Sequence, residues 1–85
     1  MNIIITGASK GIGKAIAEIF AANGHNILIT SRGEVALYKT MEELQTKYPA
    51  AVIKAKPFDL SKKEEATGFG VWSLEFGVPD IVINN

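Results

Sequence analysis

The chain has 85 residues, 47% of them hydrophobic and 21% charged, and its nine basic and nine acidic side chains cancel to a formal net charge of zero. That length allows one small domain burying only about 60–65% of its unfolded surface, and the balanced charge speaks against nucleic-acid or anionic-membrane partners. No cysteine is present, which excludes disulfides and thiolate metal sites, and an opening straight into an apolar strand, with no leader and no run of transmembrane length, predicts a cytoplasmic protein.

Asn2-Ile3-Ile4-Ile5-Thr6 reads as a short strand buried on both faces. From Ser9 to Asn23 the period changes. Ile12, Ile16, Ile19 and Phe20 fall at i, i+4, i+7 and i+8, which predicts a helix laying that stripe on a sheet, and Asn23-Gly24 ends it. A second strand is expected over Ile27–Thr30, inside the segment His25 to Ser31. Residues 34–47 carry Leu37, Met41, Leu44 and Tyr48 at helical spacing, closed by Pro49.

Val52 to Phe58 alternates as a third strand, Val52, Lys54 and Lys56 against Ile53 and Ala55, with Pro57 weakening its end. Ser61 is placed to cap a third helix reaching about Phe76, with Glu64 completing a capping box. Gly68 and Gly70 inside that helix each cost about 1 kcal/mol relative to alanine. Asp80 to Asn84 is the fourth strand. Strand and helix alternate without linker, repeat or low-complexity stretch, so residues 1–85 form one unit of parallel βαβ repeats. The expected class is α/β, a Rossmann-like three-layer αβα sheet.

The chemistry lies in Thr6-Gly7-Ala8-Ser9-Lys10-Gly11-Ile12-Gly13, between the first strand and the first helix. Gly7 permits the sharp turn off the strand, Gly11 bares backbone for close approach of a phosphate, and Gly13 lets helix and sheet come together. The helix start then offers free N–H groups and a partial positive charge to an anion. A P-loop does not fit, because Ala15 follows Gly13-Lys14 where a magnesium-binding Ser or Thr belongs.

This segment resembles the TGxxxGxG fingerprint of the short-chain dehydrogenase/reductase family. Phe58-Asp59-Leu60 is similar to the family's adenine-contacting Asp after strand three, and Ile81-Val82-Ile83-Asn84-Asn85 to the start of its NNAG motif. The likeness spans the whole chain. It implies a sheet of strand order 3-2-1-4, which here stops after strand four. It also implies that Asn84 braces neighbouring strands and that the Asn85 backbone meets the adenosine ribose. The cofactor-binding set is then Gly7, Ser9, Lys10, Gly11, Ile12, Gly13, Arg32, Asp59, Leu60 and Asn85.

A Rossmann site for NAD normally ends its second strand in an acidic residue. Here Ile29-Thr30-Ser31-Arg32 has none before Glu34. Arg32 can clamp a 2′-phosphate and Lys10 can reach it from the glycine loop, so the expected cofactor is NADP(H) rather than NAD(H). By resemblance the parent protein transfers a hydride between nicotinamide and a small carbonyl or alcohol substrate, as a homo-oligomer. The family's catalytic Tyr-x3-Lys is not found: Tyr38 and Tyr48 are followed four residues on by Glu42 and Val52.

Residues 1–85 are therefore read as the N-terminal half of an NAD(P)-binding Rossmann domain, with no catalytic residue and no activity of its own. The alternative is a non-catalytic nucleotide-binding module or a truncated gene product. His25, Tyr38, Tyr48 and Trp72 read as loop and packing residues, and no Asp, Glu or His cluster has metal-ligand spacing. Strand four is expected to form an unprotected apolar edge, making the isolated chain self-associating or partly molten.

Overall fold

The computed structural model describes residues 1–85 as β1 (Asn2–Thr6), α1 (Gly11–Ala22), β2 (Asn26–Thr30), α2 (Glu34–Lys47), β3 (Val52–Ala55), α3 (Lys63–Leu74) and β4 (Ile81–Ile83). The strands pair in parallel in the order β3-β2-β1-β4. This is the expected Rossmann-like α/β arrangement. Ile3 stands opposite Ile27 and Ile81, and Ile27 opposite Ile53. Strand alternation therefore puts Ile3, Ile5, Ile27, Ile29 and Ile53 on one face. Ala17 and Ala21 of α1 and Leu37 and Leu44 of α2 close over them as the buried core.

Only half of the apolar stripe expected on α1, Ile16 and Phe20, packs on the core. Ile12 and Ile19 are 72% and 61% exposed, whereas Gly13, Ala17 and Ala21, spaced i, i+4, i+8, lie against the sheet. Small residues let the helix approach closely, and Ile16 and Phe20 pack at its margins. The helix is apolar on most of its circumference, so periodicity alone favoured the larger side chains. α2 is clamped to α1 at the surface by Lys14–Glu43 at 2.9 Å, by Lys47–Glu18, and by the Tyr48 hydroxyl donating to Glu18 at 3.0 Å.

The opposite face of the sheet is thinly covered. Ile4 and Leu28 are buried there, yet α3 itself buries no residue completely. A cleft of about 160 Å³ remains between Phe76, Pro79 and the strand residues Ile4, Leu28 and Val52. α3 is held instead by aromatic contacts, with Phe58 and Phe69 at 5.5 Å, Phe58 and Trp72 at 5.9 Å, and Trp72 and Phe76 at 5.2 Å between ring centroids. A Cβ on Gly68 would stand 3.3 Å from Phe58 Cε1, so this glycine gives the ring its place; at Gly70 a Cβ meets nothing.

Several boundaries differ from expectation: β4 spans Ile81–Ile83 rather than Asp80 to Asn84, α3 ends at Leu74 rather than about Phe76, and two others have a clear cause. β3 ends at Ala55 rather than Phe58, because Pro57 has no N–H for the ladder. Pairing nevertheless continues loosely, from Lys56 N–H to the Ile29 carbonyl at 3.4 Å and from Phe58 N–H to the Ser31 carbonyl at 3.1 Å. The Ser61–Glu64 capping box does not form. α3 starts after Lys62 with no side-chain cap, because the Ser61 hydroxyl donates to Asp59 Oδ1 at 2.6 Å instead. No helix is long and apolar enough to cross a membrane.

Candidate cofactor-binding site

At the C-terminal ends of the strands, a cleft of about 580 Å³ opens where the order reverses between β1 and β4. Open α/β sheets present their ligand crevice at this switch point. Its walls come from the β1–α1 loop, the β2–α2 loop, the segment after β3 and the residues after β4.

The first wall is set by glycines. Gly7 and Gly11 both have φ of +62°, a conformation that side chains disfavour. Around Gly11 there is open space, which leaves its backbone bare. Gly13 has the opposite constraint, for a Cβ there would lie 2.2 Å from the Gly7 carbonyl oxygen and 2.8 Å from Asn85 Nδ2. The loop is pinned from three sides. Ala8 N–H donates to the Thr30 carbonyl at 3.2 Å, the Thr40 hydroxyl to the Ser9 carbonyl at 3.1 Å, and Asn85 Nδ2 to the Gly7 carbonyl at 3.1 Å. Thr6 ties β1 to the end of β4, its hydroxyl donating to Asn84 Oδ1 at 3.1 Å and accepting the Asn85 N–H at 3.0 Å.

α1 begins after Lys10 with no side-chain cap and no acidic residue in its first turn. Its leading N–H groups and the positive end of its dipole are thus free to meet an anion.

At the end of β2, the Thr30 hydroxyl is satisfied by the Lys56 carbonyl at 2.8 Å, whereas Ser31 Oγ is buried without any partner. Buried polar atoms are nearly always paired, and Ser31 is among the residues lining the cleft, so its orphaned hydroxyl is the place in that wall where a partner is wanting. Arg32 and Lys10 also line the cleft, exposed and outside every salt bridge of the chain. Asp59 is the sole carboxylate of the lining. Hydrogen bonds from the Ser61 hydroxyl and N–H, and then the nearby charges of Arg32 and Lys62, hold its carboxyl below the usual range. These bonds engage Oδ1 only.

The fold brings Gly7, Ser9, Lys10, Arg32, Asp59, Leu60 and Asn85 into this one cleft. Gly11, Ile12 and Gly13 do not line it: Gly13 is buried under the turn, and the Ile12 side chain stands out on α1. Ser31 escaped the sequence reading. Its signal was present in the Ser31-Arg32 pair, but only burial reveals the unpaired hydroxyl. His25, by contrast, contacts the chain N-terminus, and Trp72 belongs to the α3 aromatic cluster, both away from the cleft.

The short chain dehydrogenase family model matches residues 1–85. A diacetyl reductase of Staphylococcus epidermidis that forms (S)-acetoin is 40% identical over 83 residues, covering 96% of this chain and 32% of that protein. Among solved structures, the L-sorbose reductase of Gluconobacter frateurii, complexed with NADPH and L-sorbose, superposes with a TM-score of 0.89 at 34% identity. That match covers 99% of this chain and 32% of the other. An alcohol dehydrogenase of Thermococcus sibiricus complexed with 5-hydroxy-NADP gives 0.89 at 35% identity, covering 95% and 34%. The chain therefore spans about a third of the length of the relatives it matches. It belongs to the short-chain dehydrogenase family.

Proposed function

We propose that the cleft holds NADP(H) and that the whole protein is a cytoplasmic NADP(H)-dependent oxidoreductase acting on a carbonyl or alcohol substrate. The cofactor, when bound, supplies or accepts the hydride. The carbonyl and alcohol class is supported by the relatives, a diacetyl reductase, a sorbose reductase and an alcohol dehydrogenase among them. Residues 1–85 serve as the N-terminal half of the cofactor domain. Having no Tyr-x3-Lys, they bind without turnover.

Each wall of the cleft has its own task in this reading. Gly7 and Ser9 present N–H groups to the pyrophosphate, and Gly11-Ile12-Gly13, behind the lining at the start of α1, direct the positive end of the helix dipole toward it. Arg32, Lys10 and Ser31 take the 2′-phosphate, two charges and one hydroxyl donor for its oxygens. Asp59 Oδ2 and the Leu60 N–H, neither of which bonds to the protein, offer an acceptor and a donor in sequence, matching the 6-amino group and N1 of adenine. Asn85 backs the Gly7 turn and meets the adenosine ribose.

The observation that carries the choice of NADP(H) is the orphaned Ser31 hydroxyl next to an unpaired Arg32, with no acidic residue at the end of β2. Calorimetric titration with both dinucleotides tests it. Arg32→Ala is expected to weaken NADP⁺ by about tenfold or more and to leave NAD⁺ within about twofold, since only the 2′-phosphate contact is lost. Equal losses for both dinucleotides, or a native preference for NAD⁺, would contradict the assignment.

A further inference from the structure

The turn bearing Asp59 and Leu60 is fastened to α3 by one side chain. Glu65, half-buried in the first turn of α3, accepts the backbone N–H of Asp59 on Oε1 at 2.8 Å. Its Oε2 stands 3.8 Å from Lys62 Nζ. The bonds from Ser61 to Asp59 Oδ1, at 3.1 Å from N–H and 2.6 Å from the hydroxyl, are internal to the turn and move with it. The Asp59 carbonyl also accepts the N–H of Lys62, the N-cap residue of α3, at 3.0 Å, and the Glu65 bond is the one that a side chain of α3 itself makes to the Asp59 backbone.

That element is in turn tied to the sheet. Phe58, whose N–H donates to the Ser31 carbonyl at 3.1 Å, packs on Phe69 and Trp72 of α3. The path Ser31–Phe58–α3–Glu65–Asp59 thus closes a ring around the turn. Glu65 Oε1 is the polar link between α3 and the turn.

We propose that Glu65 is a positioning residue: its hold on the Asp59 N–H orients the Asp59 carboxylate, so that the site selects adenine over a 6-oxopurine. The inference rests on the adenine reading given above. The 6-amino group of adenine donates a hydrogen bond to a carboxylate, whereas the 6-oxo group of hypoxanthine turns lone pairs toward it. That contrast discriminates only while the carboxylate is held in place. A turn released from α3 can swing Oδ2 aside and accept either base.

The test compares dissociation constants of NADP⁺ and its hypoxanthine analogue for the full protein and three variants. The native protein is expected to favour NADP⁺ by about tenfold, the size of one hydrogen bond to a charged acceptor. Glu65→Ala is expected to reduce that ratio to about twofold. Glu65→Gln keeps it, because the amide oxygen still accepts the Asp59 N–H. Asp59→Ala lowers it at least as far, leaving only the Leu60 N–H to tell N1 of adenine from the N1–H of the 6-oxopurine.

If Asp59→Ala lowers the ratio and Glu65→Ala leaves it at the native value, the adenine contact stands and the role of Glu65 is overturned. An equal loss of affinity for both dinucleotides in Glu65→Ala, with the ratio unchanged, marks a structural role and overturns it too. If the native protein binds both analogues alike, the adenine reading fails and the positioning role fails with it.

Discussion

Gly13 and Ser31 illustrate how single residues separate folding from binding in this chain. Gly13→Ala would force a Cβ to within 2.2 Å of the Gly7 carbonyl oxygen, a backbone atom that cannot step aside. The loop or the helix must shift, at a cost of about 1–3 kcal/mol or more, read as a lower urea midpoint. Ser31→Ala should behave in the opposite way. Its Oγ is buried with no partner, so removing it relieves an unsatisfied polar group, and the urea midpoint should rise. NADP⁺ affinity should nevertheless fall by about tenfold, one hydrogen bond to the charged phosphate being lost. A variant that is more stable yet binds NADP⁺ less tightly is the signature to look for.

The carboxylates set the acid limit. Bonds from Lys47 and Tyr48 hold Glu18 below its usual range, the Lys14 bond does the same for Glu43, and the Ser61 bonds for Asp59. A depressed folded-state pKa contributes stability that is fully present above the unfolded value, near pH 4, and is lost as pH falls through the folded one. The melting temperature should thus hold between pH 7 and 5 and decline below about pH 4. A decline already complete by pH 5 would point to other groups.

Among the elements, α1 and α3 show what a one-dimensional pattern misses. The glycine fingerprint, the strand-end Asp59 and the Arg32 after β2 were legible because each depends on local backbone chemistry and spacing. The packed face of α1 was not. Gly13, Ala17 and Ala21 bury because the sheet must come close, and a count of large apolar residues favours Ile12 and Ile19 instead. In α3, Ser61 looked like a cap but serves the Asp59 turn, and Glu65 reaches back to the same turn. Neither follows from sequence, since both require knowing where the chain folds after Pro57.

The two helix-interior glycines separate in the same way. At Gly70 a Cβ meets open space, so Gly70→Ala should stabilise by about 0.5–1 kcal/mol through helix propensity. Gly68→Ala should gain less, because its Cβ presses on the Phe58 ring at 3.3 Å. Urea titrations of both variants check the order, and an equal gain would mean that Phe58 does not depend on that space.

For the whole molecule, the two sheet edges are treated differently. Beyond β3, the Gln45 side chain acts like a further strand, donating to the Ala51 carbonyl at 2.7 Å and accepting the Ile53 N–H at 3.2 Å. β4, at the other end of the sheet, has Val82 at 58% exposure and Ile81 and Ile83 half-covered. An uncovered apolar edge invites pairing with another copy. Sedimentation of residues 1–85 should therefore show association that Val82→Lys reduces. A monodisperse native monomer would contradict this.

The central claim is that four separate segments form one dinucleotide cradle. Amide chemical-shift mapping during NADP⁺ titration tests it most directly. Gly7–Gly13, Ser31–Gly33, Asp59–Ser61 and Asn84–Asn85 are expected to shift together and saturate at one concentration, with His25 and Ala50–Ala51 at the other end of the strands unmoved. Shifts confined to one segment, or strongest at the His25 end, would contradict the cradle.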